Sequence, residues 1–223
     1  MKEDVLNSVG GALKQLEGEY VNDSYAQSLE EVFDRLRKAY VNIDKDARFI
    51  AGSFVDDVNS VNRKQFYAAM ENAVGVSLER VVQNEGLGDV LVATTRENVN
   101  LIKSIPEQYL KSVESIVFNG TVQGSKAGSM ISQIQKAGGV TERRAKLIAR
   151  DQSSKINSAI TQKRSQALGV TEYVWRTAGD ERVRQTHKSN NGKTFSWDKP
   201  PKETGHPGTD IQCRCVAQPI INI

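Results

Sequence analysis

Apolar positions in the first half of the chain recur at helical spacing. Leu29, Val32, Phe33, Leu36 and Tyr40 fall three and four residues apart, which gathers them on one helix face. Phe66, Met70, Val74 and Val81 repeat the pattern, with Gly75 as a weak point. Both stripes read as core rather than as a cofactor box. Gly86, Gly88 and the apolar run 90–93 mark a break between helices. Pro106 stands at what reads as a first helical position, where its missing N–H costs nothing. Leu110, Val113, Ile116 and Val117 follow as a stripe, and Gly120 is placed as its stop. The Gly/Ser-rich stretch 124–129 leads into a short helix with Met130, Ile131 and Ile134, ended by Gly138 and Gly139. Thr141 then caps a long helix reaching about Leu168. Ala145, Ile148, Gln152, Ile156, Ile160, Lys163 and Ala167 lie along one side, and Gly169 ends it.

The texture changes after that glycine. Tyr173, Trp175 and Thr177 alternate as one face of a strand. Asp180 predicts the cap of a short helix with Val183 and His187 on the same side. Asn190-Asn191-Gly192 is a turn signal of hairpin type, 194–197 alternates like a second strand, and 211–221 supplies a closing strand. The expected fold is mainly helical α+β: an elongated helical N-terminal body followed by a small compact α+β module. The expected boundaries are a helical region over 1–105, a helical region with a long basic helix over 106–169, and the module over 170–223.

Composition narrows the class. Hydrophobic residues make up 38%, mean hydropathy is −0.48, and charged residues are an ordinary 26%. No stretch approaches the roughly 18–20 apolar residues of a membrane span. An acidic pair follows Lys2 where a signal peptide needs a basic region, and two cysteines cannot make a disulfide scaffold. These features predict a soluble protein made in a reducing cytoplasm. The net charge of +3 hides a gradient. Residues 1–60 carry 7 Lys/Arg against 12 Asp/Glu, whereas residues 121–170 carry 9 against 2. The basic segment suits a polyanion or an acidic protein surface, or is simply a solvated helix face. Arg143, Arg144, Lys146, Arg150, Lys155, Lys163 and Arg164 are its candidate contacts.

All histidines and cysteines lie in the last 37 residues: His187, His206, Cys213 and Cys215. Four such ligands in one small module would suit a structural zinc. Cys213 and Cys215 form C-x-C rather than the usual C-x-x-C knuckle, although positions two apart share a face in a strand. The other reading makes the histidines hydrogen-bonded and the cysteines small buried hydrophobes. A cysteine nucleophile beside Arg214, with His187 as base and Asp180 orienting it, is a third. No Gly-rich phosphate loop, paired-carboxylate motif or nucleophile elbow accompanies it. Asp180, Arg182, Arg184 and His187 fit a buried network better than a reaction.

In order, these elements resemble a known family. Asp180-x-Arg182-x-Arg184-x-x-His187, then His206-Pro207-Gly208, then Cys213-Arg214-Cys215, preceded by 149–151 and 169–177, resemble the phage Mu protein F-like family, the minor head or head morphogenesis proteins of tailed phages. The resemblance covers about residues 106–220. Its signature positions here are Asp180, Arg182, Arg184, His187, Pro207, Gly208, Cys213 and Cys215. It implies a non-enzymatic virion component, made in the host cytoplasm and placed in the head interior or at the portal vertex. Head assembly, DNA packaging or DNA ejection would be its setting. The implied partners are the portal protein, the major capsid protein and packaged double-stranded DNA held through phosphates. Relatives often run longer at the C-terminus, sometimes with a fused toxin or transferase domain; with eight residues after Cys215, no appended enzyme is expected. The competing expectation is a small thiol- or metal-dependent hydrolase or nuclease carried in the virion. A free DNA-binding regulator ranks last, for want of a helix-turn-helix signature.

Overall fold

The computed structural model describes residues 1–15, 23–77, 79 and 85–221. It is mainly helical α+β, as the hydrophobic pattern predicts. Five helices come first: α1 (Lys2–Gln15), α2 (Asp23–Tyr40), α3 (Asp44–Val74), α4 (Gly88–Val122) and α5 (Ala127–Ala167). Then follow β1 (Glu172–Arg176), α6 (Gln185–Asn190), β2 (Thr194–Ser196) and β3 (Val216–Pro219). The chain forms two compact units, Met1–Phe49 with Val99–Lys146, and Ile50–Asn98 with Leu147–Ile223.

The first unit is a helical core. Val5, Val9 and Leu13 of α1, Leu29, Phe33 and Leu36 of α2, Leu110, Val113 and Val117 of α4, and Met130 and Ile134 of α5 are buried together. Three punctuation signals fail here, each for a packing reason. Pro106 does not start a helix; it lies inside α4. Buried Val99 precedes it and buried Tyr109 and Leu110 follow, so burial along one stripe outweighs a lost backbone bond. Gly120 does not stop α4, which continues to Val122. A side chain at Gly120 would collide with Met130, so this glycine admits a close contact. Gly138 and Gly139 do not end a helix, since α5 runs through both. A Cβ at Gly138 would lie 2.9 Å from the Lys2 side chain, which the bare backbone accommodates. Thr141 is accordingly no cap; its hydroxyl donates to the Ala137 carbonyl within α5.

In the second unit, Val55, Leu87, Ile156 and Ile160 form one apolar cluster and Phe66, Tyr67 and Met70 another. Val81, expected on the same stripe as Phe66, lies outside the described residues. Gly75 follows the last residue of α3 with φ +73°, the left-handed stop that glycine permits. Residues 90–93 belong to α4, so the break falls before Gly88. The buried face of α5 reads Gln152, Ile156, Ile160 and Arg164, in steps of four. Lys163, expected on that stripe, is exposed instead.

Arg164 is therefore a core residue, 1% exposed. Its guanidinium donates to Asn62 Oδ1, to Asn59 Oδ1 at 2.8 Å and to Glu85 Oε2 at 2.9 Å. Tyr67 donates its hydroxyl to the other Glu85 oxygen at 2.7 Å. Asn62 in turn donates to Asn157 Oδ1 and Thr161 Oγ1, both at 2.8 Å. Burial alone would raise the Glu85 carboxyl, but the bonds from Arg164 and Tyr67 and the Arg164 charge hold it below its usual range. Burial and the Glu85 bond push Tyr67 up to about 12.

The sheet has the order β2-β1-β3 with both pairings antiparallel. Tyr173 faces Phe195 and Pro219, and Trp175 faces Ala217. Tyr173 and Trp175 point inward from β1 against Trp197, Cys213 and Cys215. Asn190-Asn191-Gly192 joins α6 to β2 rather than two strands of a hairpin. The Gly192 N–H donates to the Trp175 carbonyl, which ties that turn to β1.

Arg164→Met should destabilise the protein by about 3–5 kcal/mol, because it leaves a largely buried carboxylate without its partner. Pairing it with Glu85→Gln should recover part of the loss, read as urea midpoints. Glu85 has a folded pKa below its unfolded one, so its contribution is full above about pH 4.3 and fades as pH falls through the lower folded value. Glu85→Gln should flatten the acid limb of the stability profile.

Candidate functional site

The loop between β2 and β3 has little regular structure, so its backbone groups are satisfied by local turns and by side chains. Ser158 on α5 donates to the Pro207 carbonyl at 2.6 Å. Asp151, two helical turns earlier, accepts from the Gln212 N–H at 2.7 Å, and the Gln212 amide donates to the Leu147 carbonyl at 2.7 Å. These bonds hold Gln212 at φ +55°, which a residue with a Cβ rarely adopts. Gly208, at φ +88°, presses on the same helix, where a Cβ would lie 3.0 Å from the Ser154 carbonyl oxygen. The His-Pro-Gly element is thus a seat on α5.

That seat presents Cys213 and Cys215 to α6. Cys213 and Cys215 lie just before β3 in extended chain, and both are buried while Arg214 between them is exposed. The shared face expected of C-x-C is therefore present, although outside a strand. His187, 2% exposed, brings Nδ1 to 3.4 Å from Cys215 Sγ and 3.5 Å from Cys213 Sγ. Its Nε2 lies 3.1 Å from Asp210 Oδ2. The Trp175 ring meets the His187 ring edge to face at 5.4 Å.

The sulfurs are not equivalent. Cys213 Sγ accepts from the Gly208 N–H at 3.3 Å and the Cys215 N–H at 3.4 Å. The Cys215 thiol first, then these backbone donors and the nearby His187, draw the Cys213 pKa down against the effect of burial. Cys215 moves up, because it keeps the proton shared with Cys213 and is buried beside that charge. The Trp175 indole N–H, buried without a conventional acceptor, faces Cys215 and partly offsets that rise.

His206 is not part of this group. Its Nδ1 lies 2.9 Å from the Tyr173 hydroxyl, and its ring packs against Tyr173 and Trp197. Burial lowers its pKa, which leaves a neutral acceptor for the Tyr173 proton, and burial pushes Tyr173 up to about 12. Asp180 does not cap α6, whose first residue is Gln185 and whose N-cap, Arg184, makes no side-chain bond. Asp180 instead takes a two-pronged bond from Arg214, 2.6 Å on each oxygen, and its carboxyl is held low by it. Arg184 donates to the Ile211 carbonyl at 2.6 Å and lies 3.6 Å from Asp210. The Arg182 side chain is exposed beside Glu181. Of the polar signature residues His187 alone is buried; Asp180 and Arg184 form a partly exposed brace around it, and Arg182 faces solvent.

Asp151, Ser158, Trp175 and Asp210 complete the site, and sequence reasoning gave them no role there. Asp210 could have been found as the carboxylate three residues before a cysteine, but Ser158 carries no local signal.

Among the basic candidates, Arg143, Lys146, Arg150 and Lys163 are exposed, and Arg144 and Lys155 are partly covered. Lys146 pairs with Glu142 and Lys155 with Asp151. Arg144 donates to Ser104. Arg143, Arg150 and Lys163 have no ion-pair partner among the described residues. Arg164, expected to face an outside partner, is buried and neutralised by Glu85, so it offers no cation to a polyanion.

Residues 111–218 match the family described as phage Mu protein F like protein. That family suggests a phage head morphogenesis protein. An uncharacterized protein of Haemophilus influenzae is 36% identical over 224 residues, covering 97% of this chain. The chain spans about half the length of that relative. No solved structure matches it. No helix among the described residues is long and apolar enough to cross a membrane.

Gly208→Ala should cost about 1–3 kcal/mol, since it combines a left-handed backbone with a contact against helix backbone. Gly139→Ala, in open space inside α5, should instead stabilise by roughly 0.5–1 kcal/mol. Parallel urea titrations of the two variants check the contrast.

Proposed function

We propose, from the match of residues 111–218 to that family, that this chain is a structural minor head protein of a tailed phage. In this reading it joins the assembling head with the portal and major capsid proteins, and serves head assembly, DNA packaging or DNA ejection. The observation that supports a structural over a catalytic role is the burial of the reactive groups. His187 and Cys213 are each 2% exposed and Cys215 is 6% exposed, so a polymer substrate could not reach them as they stand. A hydrolase or nuclease would need the opposite, a base and nucleophile lining an accessible cleft.

Exposed Arg143, Arg150 and Lys163 give α5 cations that no carboxylate neutralises among the described residues. Facing packaged DNA they would bind phosphates without regard to sequence, by displacing condensed counterions. The acidic N-terminal 60 residues suit a different, basic protein surface.

Co-expression of the full chain with the portal and major capsid proteins of its own phage, followed by sedimentation and mass spectrometry, tests the reading. The chain should sediment with proheads at fixed stoichiometry. Its retention in the supernatant across several salt concentrations would defeat the structural reading. For the DNA contacts, Arg150→Glu should weaken binding to duplexes of unrelated sequence alike and lower the log–log salt slope by about 1.

A further inference from the structure

Three ligand atoms converge inside the C-terminal module: His187 Nδ1, Cys213 Sγ and Cys215 Sγ, all within 4.8 Å of one another. Zinc bonds of about 2.3 Å to sulfur and 2.0–2.1 Å to nitrogen, at tetrahedral angles, place nitrogen and sulfur about 3.5 Å apart. The two observed separations are 3.4 and 3.5 Å.

The surroundings are those a metal-bound set requires. Asp210 occupies the far ring nitrogen of His187, so a proton on Nε2 leaves Nδ1 bare and turned to the sulfurs. Arg184 backs Asp210 from the other side. The Cys213 sulfur meets two backbone donors, an arrangement that suits a thiolate. The buried Trp175 indole N–H lies at the cluster without a conventional acceptor. A polar group so placed costs free energy unless the neighbouring sulfur carries negative charge. Two thiolates and one neutral imidazole form a donor set that selects a thiophilic, borderline-soft cation over magnesium or calcium.

We propose that His187, Cys213 and Cys215 hold one zinc ion, with a solvent oxygen as its fourth ligand. The ion ties α6 to the chain entering β3, which a module with so small an apolar cluster otherwise joins through hydrogen bonds and partly exposed ion pairs. Its binding displaces the thiol protons, so affinity falls on acidification. His206, committed to Tyr173, is not a ligand. This inference is independent of the role in the phage head, and a head protein without metal would leave that role standing.

The test uses the full chain, purified reduced and without chelator. Elemental analysis should find about one zinc per chain. Cobalt(II) exchanged into the same protein should show thiolate-to-cobalt charge-transfer bands, and X-ray absorption should resolve two sulfurs per metal. His187→Gln, Cys213→Ser and Cys215→Ser should each lose most of the metal, whereas His206→Gln keeps it. A strong chelator should lower the Tm of the wild-type protein by roughly 5–10 °C, restored by zinc. Metal-free wild-type protein that takes up neither zinc nor cobalt while folded would overturn the proposal. So would an absorption spectrum with no sulfur at the metal, a result independent of whether any variant folds.

Discussion

The C-terminal module depends on the contact between its longest loop and one face of α5. Ser158 and Asp151 meet loop backbone at Pro207 and Gln212, while Gly208 closes on the helix backbone where no side chain fits. The loop has almost no ladder of its own, so these few bonds decide where its residues stand. The position of the reactive sulfurs is thus set by three polar or minimal side chains on and against a helix, rather than by the sheet they adjoin.

The same helix explains why the chain looks so modestly hydrophobic. Along its second half, α5 buries Gln152, Ser158, Thr161, Arg164 and Ser165 beside Ile156 and Ile160. Each polar group must find a partner there, and most do: Asn98 donates to Gln152, Asn62 to Thr161, and Glu85 neutralises Arg164. Such a core gains less from burial per residue than an aliphatic one, but a displaced helix would strand several polar groups at once. Registry is therefore narrowly defined where total stability is not large.

Much of this was legible in the sequence, and the exceptions share a cause. Leu29, Phe33 and Leu36 announced α2, Gly75 and Gly169 ended helices with positive φ, and Tyr173 and Trp175 announced β1. Pro106, Gly120 and Gly138 misled because each is also a residue that allows close approach or tolerates burial, and only the partner reveals which use applies; Gly139 is simply carried in open space inside α5. Arg164 misled because charge type says nothing of pairing; the four-residue step from Ile160 was the better signal. At the site, His187 and the two cysteines were identifiable by chemistry, while His206 was indistinguishable from them until Tyr173 was found beside it.

The polar face of α5 has a consequence in time. Its partners lie far along the chain: Ser158 and Pro207 are 49 residues apart, Asp151 and Gln212 are 61. During synthesis, at roughly 5–20 residues per second, the helix is made several seconds before the loop that covers it. Until the loop has left the ribosome, Ser158 has only water in place of the Pro207 carbonyl, and Asp151 has only Lys155 of its own helix. Its serines, threonines and carboxylates make the wait harmless, where an aliphatic stripe would have invited association with other nascent chains.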